Sequence, residues 1–248
     1  MTRPEQARPR VLLNRDRVLR AAVALADEAG IDALSMRSLA QELGVVPMAL
    51  YKHVANKDEL VDGMVDVVVG EIDPPVADTD WETAVRRRIL SARRALLRHP
   101  WSFRVIAART SATPAVLAYT DSIIGMFRAG GFSVDLTHHV MHALGRRMWG
   151  FTWELFDDSP GLDAATRAAR RLEMAGHYPN LAEIAVPAAQ EAAPVVAPDC
   201  DQQFEFEFAL NLLLDGFERL RQQRWTPADQ RGRRFPPSPM GEPASRGA

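Results

Sequence analysis

Apolar residues recur at intervals of three and four along most of this chain, and almost none of it alternates between apolar and polar positions. The first spacing places apolar side chains on one face of an α-helix, whereas alternation is typical of a half-buried β-strand. No segment of the chain repeats another. The pattern therefore predicts an all-α fold.

Capping residues predict where the first helices begin and end. Asn14 can cap a helix over about residues 15–29, because its side chain accepts from free backbone N–H groups, and Gly30 suits the left-handed C-terminal position. Ser35 can cap a second helix in the same way. The expected inward faces are Val18, Ala22, Leu25 and Ala29 in the first helix, and Met36, Leu39, Ala40 and Leu43 in the second.

A glycine and a proline interrupt the helical pattern soon after the second helix. Gly44 can adopt the positive φ that ends a helix, and Pro47 fits the first turn of the next one, where its missing N–H removes no hydrogen bond. The small Ala40 lets two helices cross closely, and Leu50 anchors the later helix in the core. This spacing predicts a helix-turn-helix.

The segment DPPVAD at 73–78 interrupts the pattern again and marks the expected domain boundary. Before it, Asn56 and Glu59 resemble a capping box, which predicts a fourth helix that leads into the second domain. The expected parts are a disordered basic arm at 1–13, a helix-turn-helix domain at 14–72, a larger helical domain at 81–223 and a disordered tail at 224–248.

Composition limits the class of protein. With 248 residues, of which 47% are hydrophobic and 25% charged, the chain can form one or two globular domains. No apolar run reaches the ~20 residues of a membrane-spanning helix and no secretion signal is recognisable, so we expect a cytoplasmic location. Cys200 is the only cysteine, which excludes an intrachain disulfide. A net charge of −2 still allows a local DNA-binding face.

Residues 39–60, LAQELGVVPMALYKHVANKDEL, resemble the DNA-binding domain of the TetR (tetracycline repressor) family, whose typical form is LA..LGV....LY.HV.NK..L. The resemblance implies a bacterial transcriptional repressor of double-stranded operator DNA, with residues 47–53 as a recognition helix in the major groove. The implied DNA-binding residues are Arg37, Pro47, Met48, Ala49, Tyr51, Lys52, His53 and Lys57. Of these, Arg37 would contact a base edge, and Tyr51, His53 and Lys57 match phosphate-contacting positions.

The front of the expected recognition helix departs from the tetracycline repressors. They carry Gln, Pro and Thr where this chain has Pro47, Met48 and Ala49. Apolar contact with thymine methyl groups would replace some hydrogen bonds, so the operator sequence does not transfer from the family. The arginine-rich arm at 1–13 either lies in a neighbouring minor groove or stays solvated and disordered.

Two later segments resemble the C-terminal domain of the tetracycline-repressor type. One is the ending FEFEFALNLLLDGFERL, with HYPNLAEIA before it, and the other is 132–156, which matches a long helix of that repressor. In the family these helices pair with their copies in a four-helix bundle, which implies a homodimer. The expected interface residues are Gly145, Trp149, Gly150, Trp153, Phe204 and Phe208, although some of the aromatic ones would also fill the subunit core.

The resemblance also implies a small-molecule inducer, but not magnesium-tetracycline. That repressor's Asn, Phe, metal-ligating His, Thr and Gln are replaced here by Arg88, Ala92, Ile106, Arg109 and Ile123. We expect a largely apolar or aromatic ligand with an acceptor or acidic group, because arginine supplies planar donors. The expected pocket consists of Arg88, Ala92, Trp101, Ile106, Arg109, Ile123, His138 and Met141. Alternatively, Arg88 and Arg109 are exposed and pair with acids.

Two other classes of function stay open, a DNA-binding regulator without a small ligand and a helical metal-dependent enzyme. His138 and His142 lie one helical turn apart, as two metal ligands on a helix can, but no third ligand stands at an obvious spacing. The chain has no glycine-rich phosphate loop and no G-x-S-x-G motif. We therefore expect neither enzymatic activity nor a metal or other cofactor.

The fourth helix is the expected link between ligand and DNA. It would run from Lys57 to about Gly70, with its first residues in the DNA-binding domain. Its C-terminal end is expected to lie against Ile106 and Arg109. A ligand that displaces that contact would change the spacing of the two recognition helices.

Overall fold

The computed structural model describes residues 12–150, 177–178 and 202–231, and within them every regular element is helical. The α-helices are α1 (Arg15–Ala29), α2 (Met36–Glu42), α3 (Pro47–Leu50), α4 (Lys57–Val69), α5 (Trp81–Arg98), α6 (Pro100–Ala108), α7 (Pro114–Ala129), α8 (Val134–Leu144), α9 (Gln202–Gln222) and α10 (Pro227–Arg231). Two 3₁₀ turns occupy Ile31–Ala33 and Gly145–Trp149. The predicted all-α fold is confirmed.

The predicted caps are present at the starts of the first helices. The Asn14 side chain accepts from the backbone N–H of Arg17 at 2.8 Å, and Gly30 ends α1 with a φ of 83°. At α2, the Ser35 and Ser38 side chains each accept from the other residue's backbone N–H, so both orphan donors are satisfied. These local bonds explain why the helix starts could be predicted from the sequence.

The start of α4 differs in one detail from a capping box. The Asn56 side chain accepts from the Glu59 backbone N–H at 2.8 Å, as expected. The Glu59 carboxylate, however, accepts from the N–H of Ala55 at 2.6 Å rather than from that of Asn56. The Glu59 carboxylate therefore binds the backbone N–H one residue before the one that a capping box predicts.

The core of the N-terminal part forms where α1 crosses α4. The buried face of α1 consists of Val18, Leu19, Ala22, Val23 and Ala26. The expected Leu25 is only half-buried and Ala29 is exposed, because the face that packs on α4 is rotated towards Leu19 and Val23. A Cβ at Gly63 of α4 would lie 2.6 Å from the Leu19 side chain, so any larger residue there would displace Leu19 from this crossing.

An aromatic cluster holds the larger helical domain together. The Trp81 ring centroid lies 5.5 Å from that of Phe127 and 4.7 Å from that of Phe132. Phe217 of α9 packs on Phe127 at 6.1 Å. The indole N–H of Trp81 also donates to Glu218 at 3.2 Å, which ties the start of α5 to α9.

The prediction of a long helix over 132–156 is wrong for residues 132–150, which the structure describes. The α-helix ends at Leu144, where Gly145 has a φ of 44°, and a 3₁₀ turn follows. The Tyr119 hydroxyl donates to the Met148 carbonyl at 2.6 Å, so a tertiary hydrogen bond from α7 stabilises the irregular backbone. Residues 151–156 lie outside the described residues.

No helix among the described residues has the length and apolar character that crossing a membrane requires.

Candidate DNA-binding surface and effector domain

The helix-turn-helix turns at Gly44, which has a φ of 66°. The N–H of Val45 donates back to the carbonyl of Ala40 at 2.9 Å, and the side chain of Leu50 is completely buried. These contacts fix the angle between α2 and α3. The recognition helix is shorter than the expected 47–53, because α3 ends at Leu50 and a hydrogen-bonded turn includes His53.

The outer surface of this region is both apolar and basic. Val46 and Met48 are 68% and 72% exposed, and Tyr51 is 45% exposed. Exposed apolar side chains in such a group mark a binding surface more often than isolated ones do. The other expected DNA-contacting residues are placed as follows: Arg37, Pro47, Lys52 and Lys57 are exposed, while Ala49 and His53 are half-buried.

Helix α4 carries an acidic stripe, which we define as Asp58, Asp62 and Asp66, spaced four residues apart on one face. Arg109 after α6 lies 2.6 Å from the Asp62 carboxylate and 3.7 Å from that of Asp58, and it also donates to the Asp58 carbonyl at 3.0 Å. Asp66 accepts from the backbone N–H of Ala115 at the start of α7, at 3.3 Å. The stripe therefore connects α4 to the second domain.

These contacts correct the expected position of the link. Arg109 contacts the N-terminal half of α4, close to Lys57, rather than the C-terminal end of that helix. Ile106 is half-buried and packs against the core. The Nε of Arg109 is buried without a hydrogen-bond partner among the described residues.

The C-terminal end of α4 meets a different group, which we call the His99 junction: Asp27, Glu71, Arg98, His99 and Trp101. The His99 ring contacts Asp27 of α1 at 2.9 Å and Glu71 at 3.2 Å, while Arg98 lies 2.6 Å from Glu71. The Trp101 indole N–H donates to Asp27 at 2.7 Å. Burial opposes ionisation of Glu71, but hydrogen bonds from Arg98 and His99 outweigh it and hold the pKa of Glu71 below its usual range.

The side chain of Arg88, on α5, contacts both α7 and the segment that follows α4. Its guanidinium group lies 5.0 Å from the centre of the Tyr119 ring, and it donates to the backbone carbonyls of Ile72 and Asp73. Burial lowers the pKa of Arg88, and burial raises the pKa of Tyr119 although the charge of Arg88 opposes that rise. The Nε of Arg88 has no hydrogen-bond partner among the described residues.

The residues expected to form one ligand pocket fall into three groups. Ala92 and Ile123 are fully buried, and Met141 is half-buried against the same core. Trp101 and Arg109 contact the N-terminal domain through Asp27 and Asp62. The third group is His138, which is exposed on α8. The described residues thus place Ala92 and Ile123 in the interior between α5 and α7, leave Arg88 and Ile106 half-buried, and place Trp101, Arg109 and His138 elsewhere.

An exposed apolar stripe runs along α9. Phe204, Phe208 and Leu212 are 58%, 53% and 59% exposed and stand four residues apart, which places them on one face of the helix. The rings of Phe204 and Phe208 are nearly parallel, with centroids 6.4 Å apart. Leu212 was not among the expected interface residues, although its spacing of four from Phe208 was visible in the sequence.

The other expected interface residues lie in different surroundings. Trp149 is buried, with its ring 4.5 Å from that of Tyr119. Gly150 packs so closely on Arg93 that a Cβ would lie 2.5 Å from the Arg93 side chain. Gly145 is exposed with open space around it, and Trp153 lies outside the described residues.

The two histidines considered as metal ligands are both exposed on α8. The ring centroids of His138 and His142 are 4.6 Å apart. His139 lies between them in sequence and packs on Trp225 at 5.2 Å. Among the described residues no group of three or more His, Cys, Asp or Glu side chains is arranged to hold a metal ion.

A helix-turn-helix joined by one helix to a larger helical domain is an architecture typical of DNA-binding transcriptional regulators. Residues 18–64 match the family described as "Bacterial regulatory proteins, tetR family", and residues 74–221 match "Tetracyclin repressor-like, C-terminal domain". The chain belongs to the TetR family.

Individual relatives agree with this assignment. An HTH-type transcriptional regulator of Saccharopolyspora erythraea is 38% identical over 132 residues, and the alignment covers 52% of this chain and 56% of that relative, about half its length. The HTH-type transcriptional repressor DrrR1 of Streptomyces coeruleorubidus is 28% identical over 87% of this chain and 81% of its own. The crystal structure of apo ActR from Streptomyces coelicolor has 26% identity and a TM-score of 0.67, covering 87% of this chain and 99% of ActR.

Proposed function

We propose that this protein is a dimeric transcriptional repressor that binds a palindromic operator and is released by a small, largely apolar or aromatic molecule. The observation that carries the proposal is the exposure of Val46, Met48 and Tyr51, together with that of Lys52 and Lys57, on a helix-turn-helix in which Leu50 is completely buried. Its relative DrrR1 is a transcriptional repressor, which supports repression rather than activation.

Apolar and charged side chains would have different roles in DNA recognition. Met48 and Ala49 present methyl groups that fit the thymine methyls of the major groove. Arg37 at the start of α2 could donate to a base edge, while Tyr51 and Lys57 would contact phosphates. Phosphate contacts position the protein, so sequence preference would come from the first group and from Arg37.

The apolar stripe of α9 supports a dimer. Phe204, Phe208 and Leu212 together leave a large apolar area in water in a single subunit. A two-fold axis would bury the stripe against its own copy, because such an interface is self-complementary. The same axis would place two recognition helices about 34–36 Å apart, on successive major-groove faces of a palindromic site.

Induction would act through Arg109. This residue follows α6 directly, and it contacts the carboxylates of Asp58, the residue next to Lys57, and Asp62, four residues further along α4. A ligand that displaces the end of α6 would leave two carboxylates unpaired near the phosphate backbone, and like charges repel. ActR from Streptomyces coelicolor, 27% identical to this chain, has been crystallised in complex with actinorhodin, which supports a small-molecule effector here.

Replacing Lys57 with alanine should weaken binding to all DNA sequences alike. The slope of log Kd against log salt concentration should fall by about 1, because one phosphate contact is lost. Replacing Arg37 with alanine should instead relax the preference at one position of each half-site, by ~1–3 kcal/mol if the contact is bidentate. Fluorescence anisotropy on the palindrome selected from a random library measures both. Arg87, exposed on α5, gives a control, R87A, that should change neither. An unchanged salt slope for K57A would refute its phosphate contact.

Replacing Phe208 with aspartate should produce a folded monomer, because a charge in the apolar stripe would have to be desolvated on association. Light scattering after size exclusion gives the mass, and circular dichroism checks that helix content is retained. Leu97 is also an exposed apolar residue, at 55%, but lies on α5, so L97D is the matched control and should remain dimeric. A dimeric F208D would show that the stripe is not the interface.

Replacing Arg109 with alanine should weaken operator binding by ~1 kcal/mol or more, because it leaves unpaired carboxylates near the DNA phosphates. The double variant R109A/D62N should recover part of that loss, because it removes the nearer of the two carboxylates that Arg109 contacts, at 2.6 Å compared with 3.7 Å for Asp58. R104A, which breaks the neighbouring exposed pair with Asp32, is the control. If D62N gave no recovery, charge neutralisation would not be the role of Arg109.

Actinorhodin is a suitable first probe for the effector, and magnesium with minocycline is the contrasting one. Actinorhodin should bind with higher affinity to the free protein than to the protein–operator complex, and it should weaken operator binding by the same factor, because coupling is reciprocal. Minocycline should not bind, since Ile106 cannot ligate magnesium. Fluorescence titrations with and without operator measure the factor. Equal actinorhodin affinity in both titrations would contradict ligand-controlled release.

A further inference from the structure

His99 occupies the corner between the two helices that face the N-terminal domain. It follows the last residue of α5 and precedes Pro100, the first residue of α6. Its side chain is only 10% exposed. A polar side chain that is this deeply placed needs hydrogen-bond partners, and both of them come from other elements of the fold.

Both ring nitrogens of His99 face carboxylates. Nδ1 lies 2.9 Å from each oxygen of Asp27, near the end of α1, and Nε2 lies 3.2 Å from each oxygen of Glu71, just after α4. An ionised carboxylate only accepts hydrogen bonds, so both nitrogens must donate, which only the protonated ring can do. The neutral ring has one N–H and would turn a lone pair towards the other carboxylate.

The surrounding charges define how the junction responds to loss of this proton. Glu71 keeps a second cation, Arg98, at 2.6 Å, and the charge of Arg20 also acts on it from α1. Asp27 keeps the indole N–H of Trp101 at 2.7 Å. Deprotonation therefore leaves Glu71 with Arg98 and Asp27 with Trp101, and the one remaining N–H of the ring can donate to only one of the two carboxylates. The ring then no longer bridges α1 and the end of α4.

We propose that His99 is a positioning residue for operator binding: its protonated ring ties α1 and the end of α4 to the start of α6, so operator affinity falls as the ring loses its proton. The proposal rests on the DNA-binding function proposed above. Asp27 lies near the end of α1 and Glu71 just after α4, and these two helices form the core of the N-terminal domain. A bridge that holds both of them to α6 restrains this domain before DNA binds, so less conformational entropy is lost in the operator complex.

The test compares full-length variants in their affinity for the duplex that the wild-type protein selects from a random palindromic library. From about pH 6 to about pH 8, the wild type should lose roughly fivefold or more in affinity beyond the change seen for H99Q. All other histidines are present in both proteins, so the difference between the two profiles isolates His99. Parallel profiles would overturn the proposal.

A second variant keeps the test decisive if H99Q does not fold. In E71Q the Gln amide can accept a hydrogen bond from the protonated His99 ring and can donate one to the neutral ring. E71Q should therefore bind operator with the shallow pH profile expected of H99Q. D32N makes the same acid-to-amide change in the exposed Arg104 pair and should keep the steep wild-type profile. A steep profile in E71Q would count against the bridge.

Thermal unfolding separates this inference from the proposed DNA binding. The bridge is made by the protonated ring, so the stability it gives is present at low pH and lost as pH rises. The melting temperature of the wild type should therefore exceed that of H99Q by more near pH 6 than near pH 8. If the wild type bound no DNA at any pH, the proposed function would fail, while a constant difference in melting temperature would overturn the role of His99.

Discussion

The attachment of α4 to both domains, by its buried apolar residues and by its acidic stripe, is the constraint on which the rest of the structure depends. The carboxylates of Asp58 and Asp62 pair with the guanidinium of Arg109. The carboxylate of Asp66 accepts a hydrogen bond from the N–H of Ala115 at the start of α7. The helix that begins beside the residues proposed to contact DNA is thereby joined by charge and hydrogen bonds to the second domain. Its apolar residues Leu60, Met64 and Val68 are fully buried on other faces, so α4 cannot move without disturbing both domains.

Local features were predictable because their causes lie within a few residues. The caps at Asn14, Ser35 and Asn56 involve backbone N–H groups three residues further on, so the sequence contains both partners of each bond. The turn at Gly44 requires only a residue that tolerates a positive φ. The resemblance of the N-terminal domain rested on residues 39–60. It predicted the family correctly, but the recognition helix expected from it is longer than α3.

Contacts between distant residues were not predictable, because tertiary packing selects the partner. Trp101 was expected to line a ligand pocket, but its N–H donates to Asp27, which lies 74 positions earlier in the chain. The end of α8 at Gly145 depends on a bond from Tyr119 to the Met148 carbonyl, which periodicity alone cannot indicate. The spacing of four in Asp58, Asp62 and Asp66 was a visible signal for a contact face, although the sequence did not indicate that Arg109 would be one of its partners.

Helix α6 shows how these contacts can act together. It has nine residues, which makes it about 13 Å long at 1.5 Å per residue, and it has a fixed contact at each end. His99 holds its start to Asp27 and Glu71, and Arg109 holds its end to Asp62. Because so short a helix moves as a rigid body, a displacement that weakens one contact also changes the geometry of the other. A proton at His99 and a ligand that shifts Arg109 would therefore act on the same equilibrium between two positions of α4.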